Sequence, residues 1–180
     1  MDTAIRAKLD RPIVLIGLMG AGKSKMGQAL ADRLGLDFVD SDAAIVGAQG
    51  REIADIFAAE GEAYFRRVER ETIAALIERG PMVIATGGGA VMTPETAEVV
   101  FGRALTVWLK ADLDVLLGRV RKNLDKRPLL AKGDPAEILR GLMDRRYPVY
   151  ARAAVSVQSR DVPLAENLNS VVNALAEHLS

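Results

Sequence analysis

The segment Gly17-Leu18-Met19-Gly20-Ala21-Gly22-Lys23-Ser24 matches the pattern G-x-x-x-x-G-K-[ST], where x is any residue. Residues 13–16 before it form an apolar run that predicts a buried strand, and Met26, Leu30 and Leu34 after it recur at helical spacing. Glycines let such a loop curl until its backbone amides face phosphate oxygens, and the helix N-terminus adds the positive end of a dipole. The strand, loop and helix together predict a nucleoside triphosphate site.

Two side chains of this segment carry specific expectations. In loops of this type the lysine, here Lys23, reaches the β- and γ-phosphates, and the serine, here Ser24, binds Mg²⁺ through its hydroxyl. The segment leaves the phosphoryl acceptor undefined, because one fold serves many reactions.

Outside this segment, short apolar runs alternate with helical patterns. Strands are predicted at residues 13–16, 36–40, 82–85, 105–109 and 153–158. Helices are predicted at 22–34, around 53–57, at 62–79, 93–101, 112–120, 135–146 and 164–179. This alternation predicts an α/β fold of three layers, with a central five-stranded parallel sheet flanked by helices. No repeat or interdomain linker is visible, so residues 1–180 are expected to form a single domain.

The composition excludes several classes of function. With 24 basic and 24 acidic residues, the chain has no bulk positive charge to drive binding to nucleic acid. The chain has no cysteine, which excludes thiolate metal sites. It has one histidine, His178, which argues against a Ser-His-Asp triad. No apolar run approaches the roughly 20 residues of a membrane span. A signal peptide is also not visible in residues 1–11, so a cytoplasmic protein is expected.

Asp40 and Asp42 follow the second predicted strand. Residues two apart in an extended segment point to the same side, and open α/β sheets bind ligands beyond the carboxyl ends of their strands. One carboxylate could order water around Mg²⁺, and the other could orient an acceptor hydroxyl or take its proton. Alternatively, Asp40 and Ser41 cap the next helix.

The residues that follow leave further alternatives open. The sequence Thr86-Gly87-Gly88-Gly89 at the end of the third strand indicates either close approach of the backbone to a ligand or a loose turn. Arg66 and Glu69 have helical i, i+3 spacing, which either aims the guanidinium or forms an ordinary surface pair. The periodicity alone places Phe65 in the core.

Residues 121–134 are rich in basic side chains and contain Arg127 next to a proline. They are predicted to form either a mobile lid beside the triphosphate site or a solvated surface loop. In a lid, Arg127 would stabilise charge on the transferring phosphoryl group.

The order of these pieces along the chain resembles the shikimate kinase family, small P-loop kinases related to nucleoside monophosphate kinases. The matching pieces are residues 20–24, 38–42, 53–57, 61–66, 86–89, 127–130 and 146–150. The resemblance implies a P-loop kinase fold and transfer of the γ-phosphoryl group of ATP to the 3-hydroxyl of shikimate, on the route to chorismate and aromatic amino acids. It further implies ATP and Mg²⁺ as cofactors, shikimate as substrate, and a monomer.

The resemblance also implies an acceptor site within residues 37–80 and beyond. Asp42 would lie beside the attacking hydroxyl, and Arg66 and Arg146 would bind the shikimate carboxylate, whose two oxygens match a guanidinium fork. Glu69 would orient Arg66. The remaining substrate contacts are Gly87, Gly88 (in particular), Gly89, Phe57 and Phe65.

On the nucleotide side, the resemblance assigns the triphosphate to Gly20, Ala21, Gly22, Lys23, Ser24 and Lys25. Many family members have threonine where this chain has Lys25. Asp40 would contact Mg²⁺ through water, alongside Ser24. Arg127 would reach the transferring phosphate, and either Arg119 or Arg121 would flank the adenine, with Pro163 on its other face.

Two other functions fit parts of the sequence. A gluconate or nucleotide kinase of the same architecture explains the phosphate loop and the lid, but not the two arginines at carboxylate-binding positions. A P-loop switch protein without a metabolite acceptor should carry a guanine-selecting motif such as N-K-x-D, which the sequence lacks.

Overall fold

The computed structural model describes residues 1–122, 130 and 133–180. Its strands form one five-stranded parallel sheet in the order β2-β3-β1-β4-β5. The strands are β1 (Ile13–Ile16), β2 (Phe38–Asp40), β3 (Val83–Ala85), β4 (Leu105–Lys110) and β5 (Val155–Gln158). The predicted α/β fold with a five-stranded parallel sheet is confirmed.

Helices precede, connect and follow the strands. They are α1 (Asp2–Lys8), α2 (Lys23–Leu34), α3 (Ser41–Gln49), α4 (Ile53–Ile77), α5 (Pro94–Arg103), α6 (Leu113–Arg121), α7 (Pro135–Tyr150) and α8 (Leu164–His178), with a 3-10 turn at Ala90–Met92. No helix within the described ranges is long and apolar enough to cross a bilayer.

The centre of the sheet positions the phosphate loop. β1 is buried along its whole length and pairs with β3 on one side and β4 on the other, so that Val14 lies between Ile84 and Thr106. A strand buried on both faces must be apolar throughout, as residues 13–16 are. The phosphate loop therefore leaves the sheet at the point where the strand order reverses, which is where open α/β sheets bind ligands.

A second, smaller core holds the α3–α4 region together. It contains Ile45, Ile56, Phe65 and Val68, all buried. α4 is interrupted at Gly61, whose φ of 83° is not helical. The sequence-based prediction of a short helix followed by a longer one is therefore confirmed.

Two helices were not predicted. α1 has only seven residues and one buried residue, Ile5, so it shows no apolar periodicity. Contacts with other parts of the chain hold α1 in place. Lys8 donates to the carbonyl oxygen of Leu179 at 2.6 Å, and Asp2 pairs with Arg33 of α2 at 3.1 Å. α3 appeared in the prediction only through the alternative in which Asp40 is a helix cap.

The end of α7 also differs from the prediction. The helix runs to Tyr150 rather than to Arg146, although Pro148 cannot donate a backbone hydrogen bond. The rings of Tyr147 and Tyr150 lie 4.9 and 6.0 Å from that of Trp108, and this packing holds the last turn against β4.

The predicted lid falls mostly outside the described residues. Residues 123–129 and 131–132 are outside them, so the expectation for Arg127 has no structural counterpart here. Of the flanking residues, Arg121 ends α6, Leu130 is buried, and Asp134 caps α7 by accepting from the Ala136 amide at 3.2 Å.

Candidate active site

The phosphate loop connects β1 to α2 in the conformation that the motif predicts. Gly20 and Gly22 have φ values of 83° and 93°, in a region of backbone conformation that residues other than glycine rarely adopt. Lys23 is the first residue of α2, and its Nζ donates to the carbonyl oxygens of Gly17 at 2.7 Å and Leu18 at 3.0 Å. The ammonium group thus lies over the loop whose amides would face phosphate.

The predicted cap at Asp40 is confirmed, and its contact with Mg²⁺ stays a prediction. Its Oδ1 accepts from the backbone amides of Asp42 at 3.0 Å and Ala43 at 3.3 Å, which caps α3. Its Oδ2 accepts from the hydroxyl of Ser24 at 2.6 Å. The capping contacts hold the carboxylate in place, so that its other oxygen contacts the first turn of α2 through Ser24.

Asp42 lies in the first turn of α3 and is half-buried. Burial raises the pKa of its carboxyl group, and the neighbouring charge of Asp40 raises it further, while Lys23 and Arg66 oppose the change. A raised pKa marks a carboxylate whose ionised form is less well solvated in the fold than in water. Such groups are typical of sites that hold or move a proton.

This burial predicts that Asp42 costs stability at neutral pH. A folded-state pKa above the unfolded one means that its stabilising contribution is present below the unfolded pKa and lost as pH rises through the folded one. Asp42→Asn should therefore have a higher Tm than the unmodified chain at pH 7, and the gain should disappear near pH 4. Thermal unfolding at both pH values measures this, with exposed Asp37→Asn as control. A lower Tm for Asp42→Asn at pH 7 would contradict the assignment.

The glycine triplet after β3 brings three of the predicted side chains together. A Cβ atom on Gly87 would lie 3.0 Å from Oδ1 of Asp42, and one on Gly88 would lie 2.9 Å from Nη1 of Arg146. One on Gly89 would lie 2.8 Å from Nη2 of Arg66. Each glycine thus makes room for a different charged group, and a loose turn would not require this. Asp42, Arg66 and Arg146 surround one short stretch of backbone.

Glu69 fixes the direction of Arg66. Arg66 donates from Nη1 to Oε2 of Glu69 at 2.7 Å, and Glu62 lies on its other side at 3.5 Å. Glu69 is only 1% exposed, so the alternative of an ordinary surface pair is wrong. Burial raises the pKa of Glu69, against the hydrogen bond from Arg66. Removing one partner would leave a buried charge without compensation, so the pair is rigid.

Phe57 and Phe65 are in contact, with ring centroids 4.6 Å apart. Phe65 is buried in the second core, as its periodicity predicts, and Phe57 is half-exposed. The Arg66 guanidinium lies 5.3 Å from the centre of the Phe65 ring. The two rings therefore pack next to Arg66, and their contact with the substrate stays a prediction.

Of the two candidate adenine-flanking arginines, Arg119 lies at the phosphate loop. Its Nη1 donates to the carbonyl oxygens of Gly20 and Ala21, both at 3.2 Å, and to Oγ of Ser159 at 2.9 Å. Arg121 is exposed at the end of α6. The two are two residues apart on a helix and so face different directions, which the sequence alone could not resolve.

The segment after β5 forms a wall of the site, and sequence reasoning identified only Pro163 within it. The carbonyl oxygen of Arg160 accepts from Arg119 at 2.7 Å and from the buried Asn167 side chain at 2.9 Å. Asn167 also accepts from the Arg160 amide at 3.0 Å. The only available signal was the position of these residues beyond the carboxyl end of a parallel strand.

These elements enclose a cleft of about 600 Å³. Its walls include the phosphate loop, Asp40, Asp42, Thr86 to Gly88, Arg119 and the segment after β5. A cleft of this size suits a small molecule rather than a macromolecular partner.

The donor set fits Mg²⁺ bound together with phosphates. Ser24 and Asp40 offer hard oxygen atoms at one point of the cleft, and their mutual hydrogen bond of 2.6 Å shows that both reach it. No cluster of three or more acidic, histidine or cysteine side chains occurs among the described residues. Mg²⁺ ordinarily binds few carboxylates and completes its shell with water and phosphate oxygens.

A glycine-rich phosphate loop at the reversal point of a parallel sheet, opposite a separate cluster of acid and guanidinium groups, defines a P-loop kinase. The shikimate kinase family model matches residues 19–176. The chain is 49% identical to the shikimate kinase of Paramagnetospirillum magneticum, with 97% of this chain and 89% of that protein covered. The chain belongs to the shikimate kinase family.

Solved structures agree with this assignment. The shikimate kinase of Acinetobacter baumannii, in complex with shikimate, superposes with a TM-score of 0.88 at 31% identity over 97% of both chains. A gluconokinase from Sinorhizobium meliloti superposes with a TM-score of 0.59 at 21% identity, covering 94% of this chain and 93% of that one. That likeness shows a shared fold only.

Proposed function

We propose that the chain transfers the γ-phosphoryl group of ATP to the 3-hydroxyl of shikimate, with Mg²⁺. One observation carries the proposal: Asp42, Arg66 and Arg146 all lie against the glycine triplet, at the edge of the cleft that contains the phosphate loop. Two guanidinium groups and one carboxylate suit an acceptor that bears both a carboxylate and a hydroxyl.

On the acceptor side, Arg66 and Arg146 bind the carboxylate of the substrate, and the backbone of the glycine triplet closes against it. Arg66 is pre-aligned by Glu69 at 2.7 Å, so little side-chain entropy is lost on binding. Asp42 then receives a hydrogen bond from the reacting hydroxyl. The raised pKa of Asp42 supports a role in accepting that proton. In a loose transition state of phosphoryl transfer, Asp42 also contributes by positioning the hydroxyl.

On the nucleotide side, the phosphate-loop amides and Lys23 hold the triphosphate. Ser24, and Asp40 through water, would hold Mg²⁺, which would supply positive charge to the phosphate oxygens. The family resemblance adds Arg127, outside the described residues, as a third cation after Lys23 and Mg²⁺. The transfer is direct: the acceptor hydroxyl attacks the γ-phosphorus in line with the bond to the departing ADP and loses its proton to Asp42 or to solvent, and no covalent enzyme intermediate is needed.

The proposal is tested by ADP formation from MgATP with shikimate, gluconate, a nucleoside monophosphate or no acceptor. We expect shikimate to stimulate ADP formation. With gluconate or the nucleoside monophosphate, ADP formation should stay at the level measured without acceptor. Stimulation by gluconate alone would assign a different acceptor to the same arginines. No stimulation by any acceptor, in folded protein that binds ATP, would reject the acceptor site while leaving the phosphate loop intact.

Replacing Arg66 should affect one substrate only. Arg66→Ala removes a bidentate contact to the acceptor carboxylate, so shikimate affinity should fall roughly tenfold to a hundredfold, as for loss of a charge-assisted pair. ATP affinity should change by less than about threefold, since no phosphate-loop contact is lost. Calorimetry of each ligand measures both. The control is Arg67→Ala, whose exposed guanidinium lies over the Tyr64 ring at 5.2 Å. Equal loss of both affinities would count against this role.

A methyl group at the third glycine should act through the same arginine. In Gly89→Ala the new Cβ would lie 2.8 Å from Nη2 of Arg66, so the guanidinium must move away from its aligned position. We expect the shikimate KM to rise about tenfold, the order of one lost charged hydrogen bond. Gly102→Ala is the control, because nothing lies within 4 Å of its Cβ position. An unchanged shikimate KM in Gly89→Ala would show that the close approach has no functional consequence.

A further inference from the structure

Tyr150 is the last residue of α7 and is fully buried, with 0% of its surface exposed. Its hydroxyl donates to the carbonyl oxygen of Gly88, in the middle of the glycine triplet. A buried hydroxyl without a partner is costly, so this bond joins the end of α7 to the segment after β3. The bond spans 62 residues of sequence, and no local pattern announces it.

Arg146 lies one helical turn before Tyr150, on the same face of α7. Its Nη1 is the atom that a Cβ on Gly88 would approach at 2.9 Å, so the Arg146 guanidinium lies against the same glycine whose carbonyl oxygen Tyr150 holds. The positive charge of Arg146 also acts on the Tyr150 hydroxyl, and it lowers the pKa that burial raises. Burial raises the pKa of Tyr150 to about 12, so the hydroxyl stays protonated and remains a donor at neutral pH.

Tyr147, on the same helix, is a natural comparison for Tyr150. Its hydroxyl also donates to a backbone carbonyl oxygen, that of Ala111, at 2.5 Å. Both rings pack near Trp108, with centroids at 4.9 and 6.0 Å. The two tyrosines therefore contribute similarly to holding α7 against the sheet. They differ in the carbonyl oxygen that accepts from the hydroxyl. The acceptor of Tyr147 is Ala111, which follows β4, whereas the acceptor of Tyr150 is Gly88, within the glycine triplet.

We propose that Tyr150 is a positioning residue of the acceptor site, whose hydroxyl holds the Gly88 carbonyl and so fixes the backbone against which the Arg146 guanidinium lies. The inference rests on the proposed function, because it takes Gly88 and Arg146 as acceptor-binding groups. Without the hydroxyl, Arg146 must be ordered by the substrate itself, and that cost falls on acceptor binding. Nucleotide binding is unaffected, because the phosphate loop is held by other contacts.

The test compares Tyr150→Phe with Tyr147→Phe in steady-state kinetics of the full chain. Tyr150→Phe should raise the shikimate KM about fivefold to tenfold, the order expected for one hydrogen bond between neutral groups, and change the ATP KM by less than about twofold. Tyr147→Phe should leave both KM values within about twofold. Equal increases in both KM values, or an unchanged shikimate KM in Tyr150→Phe, would overturn the inference. Absence of shikimate-dependent ADP formation by the unmodified chain would instead reject the proposed function.

A second measurement needs no change at Tyr150, in case the phenylalanine variant folds poorly. The chain has three tyrosines, which can be labelled with ¹³C at Cζ. The spectra of Tyr64→Phe and Tyr147→Phe assign the three signals. Saturating shikimate, with binding verified by calorimetry and no nucleotide present, should shift the Tyr150 signal and leave that of Tyr147 in place. An unmoved Tyr150 signal in the shikimate complex would overturn the inference.

Discussion

Asp42→Asn is expected to lower kcat for shikimate phosphorylation by about a thousandfold, the middle of the range for loss of a positioned proton acceptor. The amide keeps the size of the side chain but accepts a proton poorly and cannot carry the negative charge that orients the reacting hydroxyl. The backbone should be undisturbed, since the capping contacts of α3 belong to Asp40 and not to Asp42. The measurement is single-turnover formation of the phosphorylated product, which isolates chemistry from product release.

The control for this substitution is Asp37→Asn, at an exposed position just before β2. It should leave the rate within about twofold, as surface substitutions generally do. A fall of less than about tenfold in Asp42→Asn would show that the carboxylate is a bystander of the reaction. A thousandfold fall combined with the higher Tm at pH 7 would identify Asp42 as a residue that trades stability for activity.

Lys23→Met is expected to lower kcat by roughly a hundredfold to a thousandfold, as for loss of one preorganised group that stabilises transition-state charge. Methionine retains an unbranched chain of similar length, so the change removes charge and hydrogen bonds more than volume. Lys23 is already held over the loop by the carbonyl oxygens of Gly17 and Leu18, so no large motion is needed before it meets phosphate. Single-turnover kinetics at saturating ATP measure the effect.

Lys8→Met is the matched control for this lysine, because Lys8 is exposed, donates to the carbonyl oxygens of Leu179 and Ser180, and does not line the cleft. It should lower stability slightly and leave the rate unchanged. If Lys23→Met instead raised the ATP KM alone and left kcat intact, the ammonium group would bind substrate and transition state equally, contrary to the role proposed here.

Sequence patterns predicted the parts of this protein that are local. The phosphate loop needs only glycines, a lysine and a serine at fixed spacing between a strand and a helix, and Gly20 and Gly22 adopt the expected left-handed conformations. The parallel sheet follows from alternating strands and helices. The apolar spacing predicted a short helix and then a longer one, and the break between them lies at Gly61.

Other features depend on contacts between distant segments, which a single sequence does not reveal. The cap at Asp40 was one of two alternatives in the sequence, but the hydrogen bond from Ser24, 16 residues away, to the other oxygen of the same carboxylate could not be predicted. The surface-pair alternative for Arg66 and Glu69 failed because burial of Glu69 comes from the packing of α4 and not from its spacing. The hydrogen bond from Tyr150 to Gly88 joins α7 to a loop after β3, and no periodicity encodes it.

Transfer of the phosphoryl group of ATP to the 3-hydroxyl of an acceptor held by its carboxylate can be observed directly in the product. The measurement is to incubate the chain with MgATP and ¹³C-labelled shikimate, isolate the product, and record its ¹³C and ³¹P spectra. We expect one phosphate ester, with phosphorus coupled to C3 and its ring neighbours. Coupling centred on another hydroxyl-bearing carbon, or ATP consumed with only inorganic phosphate formed, would contradict it.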